Sequence, residues 1–304
     1  MRLGSLALLL AVLTIFPGAA AEPKRVVATF SILGDIVRQV GGDQVRVDTL
    51  VKADQDAHGF EPKPSDVRVL TQADLIVSNG LGFEPWLAKA IKASGTKART
   101  AVATKGVKPL QGEVDDRHDA HDHHDRHEHG PQDPHAWQNV LNVKLYATNI
   151  AEALAAIDPT NEAYYRARAA KYHADLDKLD GEIKWAFAPV PKGRRIVVTN
   201  HDAFAYFGKA YGVVFHAPIG MSTEAEPSAA DVAALIRQIR AERITAVFVE
   251  NMDDPRLIEQ IARETGAKVG TRIYSDALSG PAGPAATYLD MMRHNAKAFA
   301  AAMK

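Results

Sequence analysis

Six of the twelve histidines in this chain fall in one stretch, HDAHDHHDRHEH, at His118, His121, His123, His124, His127 and His129. Imidazole is a ligand for first-row transition metals, and the interspersed aspartates and glutamate add oxygen donors. Zinc suits such a run because it imposes no d-electron geometry. Density alone does not decide whether the run is the main site or an accessory to one, and a polar loop without function is the plain alternative.

Four dispersed residues form a more demanding set. His58 lies in QDAHGFEPKPSD, just past a predicted strand, and His135 lies in PQDPHAWQN, where Pro134 ends a loop and a helix is expected. His201 sits at a strand end in IVVTNHDAFAYF, and Asp276 directly follows another strand in RIYSDAL. Taken singly, each has a structural alternative: a hydrogen-bonded histidine at a strand end, or a turn cap for Asp276. Together, three neutral imidazoles and one carboxylate make a four-coordinate shell that zinc accepts. The shell carries one negative charge, whereas manganese is better served by more carboxylates. A closed shell with no position for water binds metal rather than activating water, so no catalytic residue is expected. A hydrolase using zinc-bound water, with Glu250 or Glu84 as base, is the enzymatic alternative, and no HExxH helix accompanies it. Glu61, Glu84, Asn200, Asp202 and Glu250 are candidates to orient the ligands, with Glu250 the best substitute acid. For each of them, capping or solvation is the competing role. His173, His216 and His294 lack such settings. Histidine protonation is expected to weaken binding once pH falls below the low-to-mid 6 range.

The positioning elements read as α/β. Strands are predicted over 26–30, 45–51, 75–78, 196–199, 213–215, 245–250 and 268–273. Helices are predicted from Ser31 to about Val40 and over 66–71, 86–93, 131–157, 204–210, 228–242, 255–265 and 286–303. Strands alternating with helices at this spacing argue for parallel βα units. In the helix over 131–157, Trp137, Leu141, Leu145 and Ile150 recur at helical spacing. From Asp158 a longer pattern begins, with Tyr165, Tyr172, Leu176, Leu179 and Ile183 on one stripe. Gly181 interrupts it near its end, and Pro189 and Pro191 stop it. The predicted fold is two doubly wound lobes joined by one long rigid helix, with the metal site in the cleft between them. The boundaries are 22–158 for the N-terminal lobe, with the histidine-rich loop at 115–130, 159–189 for the linker and 190–304 for the C-terminal lobe.

Arg2, an apolar run from Leu3 to Phe16 and Ala19-Ala20-Ala21 read as a signal peptide over residues 1–21. The sequence has no cysteine, which removes disulfides, thiolate sites and a lipobox. Export without a lipid anchor points to a Gram-negative periplasm. The formal net charge of −1 argues against nucleic acid or an acidic membrane as partner.

These motifs carry a resemblance. AHGFEPKPSD, NGLGFEPWL, DPHAWQN, the DPTN that opens the long helix, TNHDAFAYFGKAYG, STEAEPS and VFVEN resemble, in order, the signatures of the cluster A-I (cluster 9) solute-binding proteins of ABC transporters. The match spans nearly all of the mature chain. The histidine-rich segment before DPHAW is similar to the loop of zinc-binding members, in particular chaperone-fed receptors of the AztC type. By this resemblance His58, His135, His201 and Asp276 fall on the four metal-ligand positions. Manganese-preferring members commonly carry an acid at the third position, so His201 favours zinc. The family's Asp-Pro-Leu is Asp276-Ala277-Leu278 here, and loss of the proline is expected to loosen that loop. The resemblance implies a monomeric Zn²⁺ receptor serving an inner-membrane ABC permease, with a periplasmic zinc metallochaperone as a further partner. The histidine run is then a first catcher for the ion. The rivals are a manganese or iron receptor of the same fold, a zinc-dependent hydrolase, and an adhesin or zinc buffer serving no permease.

Overall fold

The first β-strand is a run of buried residues, Val26 to Phe30, and both its neighbours pair with it in parallel. β1 (Lys24–Phe30) lies between β2 (Val45–Val51) and β3 (Leu75–Ser78), and β4 (Arg99–Val102) pairs with β3. The second half repeats the pattern. β5 (Ile196–Val198) lies between β6 (Val214–His216) and β7 (Ala246–Val247), with β8 (Lys268–Val269) outside β7. The strand orders β2-β1-β3-β4 and β6-β5-β7-β8 are the same arrangement twice. Parallel neighbours need crossovers, and helices supply them: α1 (Ser31–Gly41), α2 (Pro64–Thr71) and α3 (Leu87–Ser94), then α6 (Ala205–Tyr211), α7 (Ala229–Glu242) and α8 (Arg256–Thr265). The chain is thus an α/β fold of two similar sheets packed through helices. The computed structural model describes residues 22–112, 132–224 and 226–303. The expected signal peptide at 1–21 and the histidine run at 118–129 lie outside them.

Between the two sheets run α4 (Val140–Ile157), α5 (Glu162–Phe187) and the last helix, α9 (Tyr288–Ala302). α5 buries Tyr165, Ala169, Tyr172, Leu176, Leu179, Ile183 and Phe187, the stripe expected from the sequence with small additions. That face packs on α1 and α4 from the first half and on α6 and α9 from the second. One apolar core consequently runs through both halves, from Phe30 and Trp137 to Phe204, Phe207 and Phe299. Two smaller clusters back the outer faces, one under α2 and α3, the other under α7 and α8. Burying each such large apolar side chain contributes roughly 1.5–3 kcal/mol. Among the described residues, no helix is long and apolar enough to cross a membrane.

Several expectations need correction. The helix expected over 131–157 begins only at Val140, capped by the Asn139 side chain, which accepts the Leu141 N–H at 3.0 Å. Before it, His135 sits outside helical geometry and a single 3-10 turn spans Ala136–Gln138. Leu141 and Leu145 are largely exposed, and the buried face is instead Val140, Val143, Tyr146, Ala147, Ile150 and Leu154. Gly181 does not break α5. The strands expected over 245–250 and 268–273 are shortened to two residues each, with Glu250 and Ile273 joined by an isolated parallel bridge. Gly270 marks the break: a Cβ there would lie 2.3 Å from the Phe248 ring, so the ring takes the space of a side chain. α1 begins at Ser31 as expected, and the Ser31 hydroxyl accepts the Leu278 N–H at 2.9 Å. β4, an edge strand of mostly exposed residues, has no apolar signature to find.

Candidate metal centre

The strands of both sheets end toward one another, and the loops that follow them carry the histidines. In each sheet the chain leaves the central strand on opposite sides, and such switch points are where open parallel sheets bind ligands. His58 follows β2, His201 follows β5, and Asp276 follows the Ile273 bridge. His135 precedes α4.

These four residues meet. His58 Nε2 lies 3.3 Å from His135 Nε2 and 3.1 Å from Asp276 Oδ2. His201 Nε2 is 3.2 Å from Asp276 Oδ2, and His135 Nε2 is 3.7 Å from Oδ1. One ligand atom from each lies within 4.8 Å of all the others. His135, His201 and Asp276 are 0% exposed and His58 6%. Phe83 closes one side, its ring centroid 4.8 Å from that of His58, and Trp137 stands 5.3 Å from His135.

Carboxylates behind the cluster set the direction of two imidazoles. Asp133 Oδ1 lies 2.8 Å from His135 Nδ1 and also accepts the His135 backbone N–H at 2.9 Å. Glu250 Oε2 lies 2.7 Å from His201 Nδ1, while Oε1 accepts the N–H groups of Asn200 and His201 at 2.9 and 3.0 Å. The Ser275 hydroxyl donates to the same Oε2. An Nδ1–H held by a carboxylate leaves the Nε2 lone pair free to face the centre. Asp276 is placed through its neighbour: the Ser275 carbonyl accepts Trp137 Nε1–H and Gln138 Nε2–H, each at 2.9 Å.

The electrostatics follow from burial against charge. Burial opposes a proton on His135, but the charges of Asp276 and Asp133 outweigh it and push the group up to about 9. Burial likewise opposes protonation of His201, and Glu250 and Asp276 overcome it, raising the group well above its ordinary value. Burial would raise Asp276, yet His201 and His135 hold its carboxyl well below the usual range. The expected onset of proton competition near pH 6 is therefore too low.

The candidate orienting residues divide. Glu250 lies against His201, and its oxygens also accept from the N–H groups of Asn200 and His201 and from the Ser275 hydroxyl. It forms a second close group with His201 and Asp253, whose carboxyl burial and the Glu250 charge push up to about 7. Asn200 supports Glu250 by accepting its backbone N–H at 2.8 Å. Among the described residues, Glu84 orients no imidazole. Its oxygens accept from Thr29 and from the N–H groups of Asn79 and Gly80, and Asn79 Nδ2 in turn donates to Pro134 O at 2.9 Å. Asp202 donates its backbone N–H to the Ile219 and Gly220 carbonyls, and Glu61 is exposed. Asp133 was missed, although an acid two residues before His135 across Pro134 was the available signal. The loop after Asp276 is tied down despite lacking the proline: Ala277 is buried, and Leu278 bonds to Ser31 and to the Asp54 N–H. His173 and His294 bond to backbone carbonyls of Lys144 and Arg272, and His216 faces Glu242.

A family model described as ZnuA, zinc-uptake complex component A, periplasmic, matches residues 26–302. The chain belongs to this family of ABC-transporter metal receptors. FimA, the metal ABC transporter substrate-binding lipoprotein of Streptococcus parasanguinis, is 34% identical over 282 residues, covering 91% of this chain and 88% of its own. MtsA, the iron ABC transporter substrate-binding lipoprotein of Streptococcus pyogenes serotype M1, is 33% identical with the same coverage. Among solved structures, the Mn-bound periplasmic metal binding protein of Candidatus Liberibacter asiaticus superposes with a TM-score of 0.79 at 29% identity, covering 92% of this chain and 100% of that one. The periplasmic zinc binding protein TroA of Treponema pallidum gives 0.84 at 26%, covering 93% and 99%. Members of the ZnuA family are transport receptors, not enzymes, and work with an ABC permease outside the cytoplasm. The cluster of three histidines and an aspartate is a site for a divalent metal ion. One expectation is overturned: FimA and MtsA are lipoproteins, so the exclusion of a lipid anchor is withdrawn while the extracytoplasmic placement stands.

Proposed function

We propose that this protein captures a divalent transition-metal ion on His58, His135, His201 and Asp276 and delivers it to the permease of an ABC importer. What carries the reading is the convergence of three Nε2 atoms and one carboxylate in a buried space, with two of the imidazoles aimed by their own carboxylates. Zinc is the ion this donor set favours, because three imidazoles and one carboxylate suit its four-coordinate nitrogen and oxygen chemistry. The relatives favour a second reading, manganese or iron, since MtsA is named for iron and the Liberibacter structure is Mn-bound. Purification from medium holding equal zinc, manganese and iron(II), followed by metal analysis, separates the two. Zinc as the tightly held ion supports the first, and manganese or iron held in its place sinks it. Single alanine substitutions at the four ligands should each lose the ion.

In this reading residues 1–21 are an export signal, 22–158 and 190–304 are two lobes, and 159–189 is a rigid link. The link is supported by the apolar stripe of α5, which packs on helices of both halves. The protein works as a monomer of the chaperone-fed AztC type. The histidines from His118 to His129 take up the ion from a metallochaperone and pass it inward to His135, a few residues away. Deletion of residues 115–130 should leave one tightly held zinc and lower the total bound. Loss of tight binding on deletion would make the run the main site instead.

A further inference from the structure

The loop that carries His58 reaches from the end of β2 into the second half of the molecule. Asp54 Oδ1 accepts Asn251 Nδ2–H at 2.8 Å, Oδ2 accepts the Gly280 N–H at 3.2 Å, and its own N–H donates to Leu278 O at 3.0 Å. It does so at φ 56°, in the left-handed region that aspartate enters more readily than most residues. These contacts anchor the base of the loop to the segments that carry Asp276 and Glu250.

Asp56 makes a different kind of link. Its Oδ1 accepts the backbone N–H of His58 at 2.9 Å, and its Oδ2 accepts the hydroxyl of Thr223 at 2.6 Å. One carboxylate therefore joins the main chain of a ligand residue to a side chain of the opposite half. His58 is also the one of the four ligands with any access to solvent, 6% against 0% for the others. His135 and His201 are fixed from behind by Asp133 and Glu250, so His58 is the ligand free to yield first.

The geometry points to Asp56 as a positioning residue that sets how long the ion is retained, by holding His58 in place through its bond to Thr223. This rests on the ligand assignment proposed above. With the Thr223 bond broken, the carboxylate is free to swing and His58 loses its hold on the second half, while the other three ligands keep their own supports. The consequence falls on dissociation rather than on capture, as most changes of affinity within one site do.

The test uses the whole protein and zinc ion alone, with dissociation followed by stopped-flow mixing into excess chelator and association by mixing with free zinc. Thr223→Val removes the hydroxyl at nearly constant shape, and Thr223→Ser restores it. Asp56→Asn keeps an acceptor oxygen for only one of the two donors. Valine and asparagine should each speed dissociation about tenfold, the scale expected for a hydrogen bond to a charged group, with association within about twofold. Serine should return the parent rate. Parental dissociation in Thr223→Val, or a fast rate that serine fails to restore, overturns the proposal. His58→Ala separates the two levels. If it binds zinc as tightly as the parent, the ligand assignment itself fails. If it weakens binding while Thr223→Val dissociates at the parental rate, only the role of Asp56 fails.

Discussion

Asp133 Oδ1 bonds His135 twice, to the ring Nδ1 at 2.8 Å and to the backbone N–H at 2.9 Å. One oxygen thus fixes both the ring direction and the main chain of a ligand. Asp133→Ala should lower metal affinity roughly 10- to 100-fold, the usual effect of losing such an outer partner. Asp133→Asn should fall between, because the amide oxygen still accepts the Nδ1–H without the full charge. Competition against a chelating dye measures both, and parental affinity in the alanine variant would contradict this role.

A cation needs the Nε2 lone pairs, so it must displace any protons held there. With His135 pushed up to about 9 and His201 raised as well, binding at pH 7.5 should release at least one proton. Apparent affinity should fall about tenfold per pH unit for each displaced proton as pH drops below about 9. Calorimetric titrations in buffers of different ionisation enthalpy count the protons, and a count of zero contradicts the electrostatics. The sign for stability is opposite. A group raised from 6.5 to about 9 supports the metal-free fold fully below 6.5, and that support is lost as pH rises through about 9.

A ligand bound only by the folded state stabilises it by about 4 kcal/mol at a thousand times its dissociation constant. For a chain of this size that corresponds to a melting shift of roughly 10 °C. Stripping the metal with a chelator should lower the transition by that order, and re-addition should restore it. His201→Ala should show no shift on metal addition, and a full shift in that variant would place the ion elsewhere.

Gly181 lies inside α5, and a Cβ added there would have no neighbour within 4 Å. Gly181→Ala should therefore stabilise the fold by about 0.5–1 kcal/mol, through the smaller entropy lost on folding. Denaturant unfolding with an unchanged slope would read this directly, and destabilisation would mean that α5 needs the glycine.

The sequence disclosed the cluster better than the elements around it. His58, His201 and Asp276 stand just past predicted strands, where parallel sheets gather ligands, so their residue types and places were both legible. Their supports were not, because Asp133 and Glu250 act through three-dimensional approach. Glu250 looked like a spare ligand since nothing linear records that His201 Nδ1 lies 2.7 Å away. In α4 the expected stripe through Leu141 and Leu145 failed because α4 lies between two packed layers. Many of its positions are apolar, and the periodicity does not choose among them. The edge strand β4 was hidden for the opposite reason, being exposed and held by backbone bonds that leave no apolar signature.

The four ligands come two from each half of the molecule: His58 and His135 before α5, His201 and Asp276 after it. Neither half alone supplies more than two of these four ligands, so neither can close the shell by itself. The captured ion is then a removable cross-link, closing the chain between points more than two hundred residues apart. Loaded and unloaded receptors should differ in stiffness even where their outlines agree. A permease that tests resistance to being pulled open has a way to tell the two apart without touching the ion.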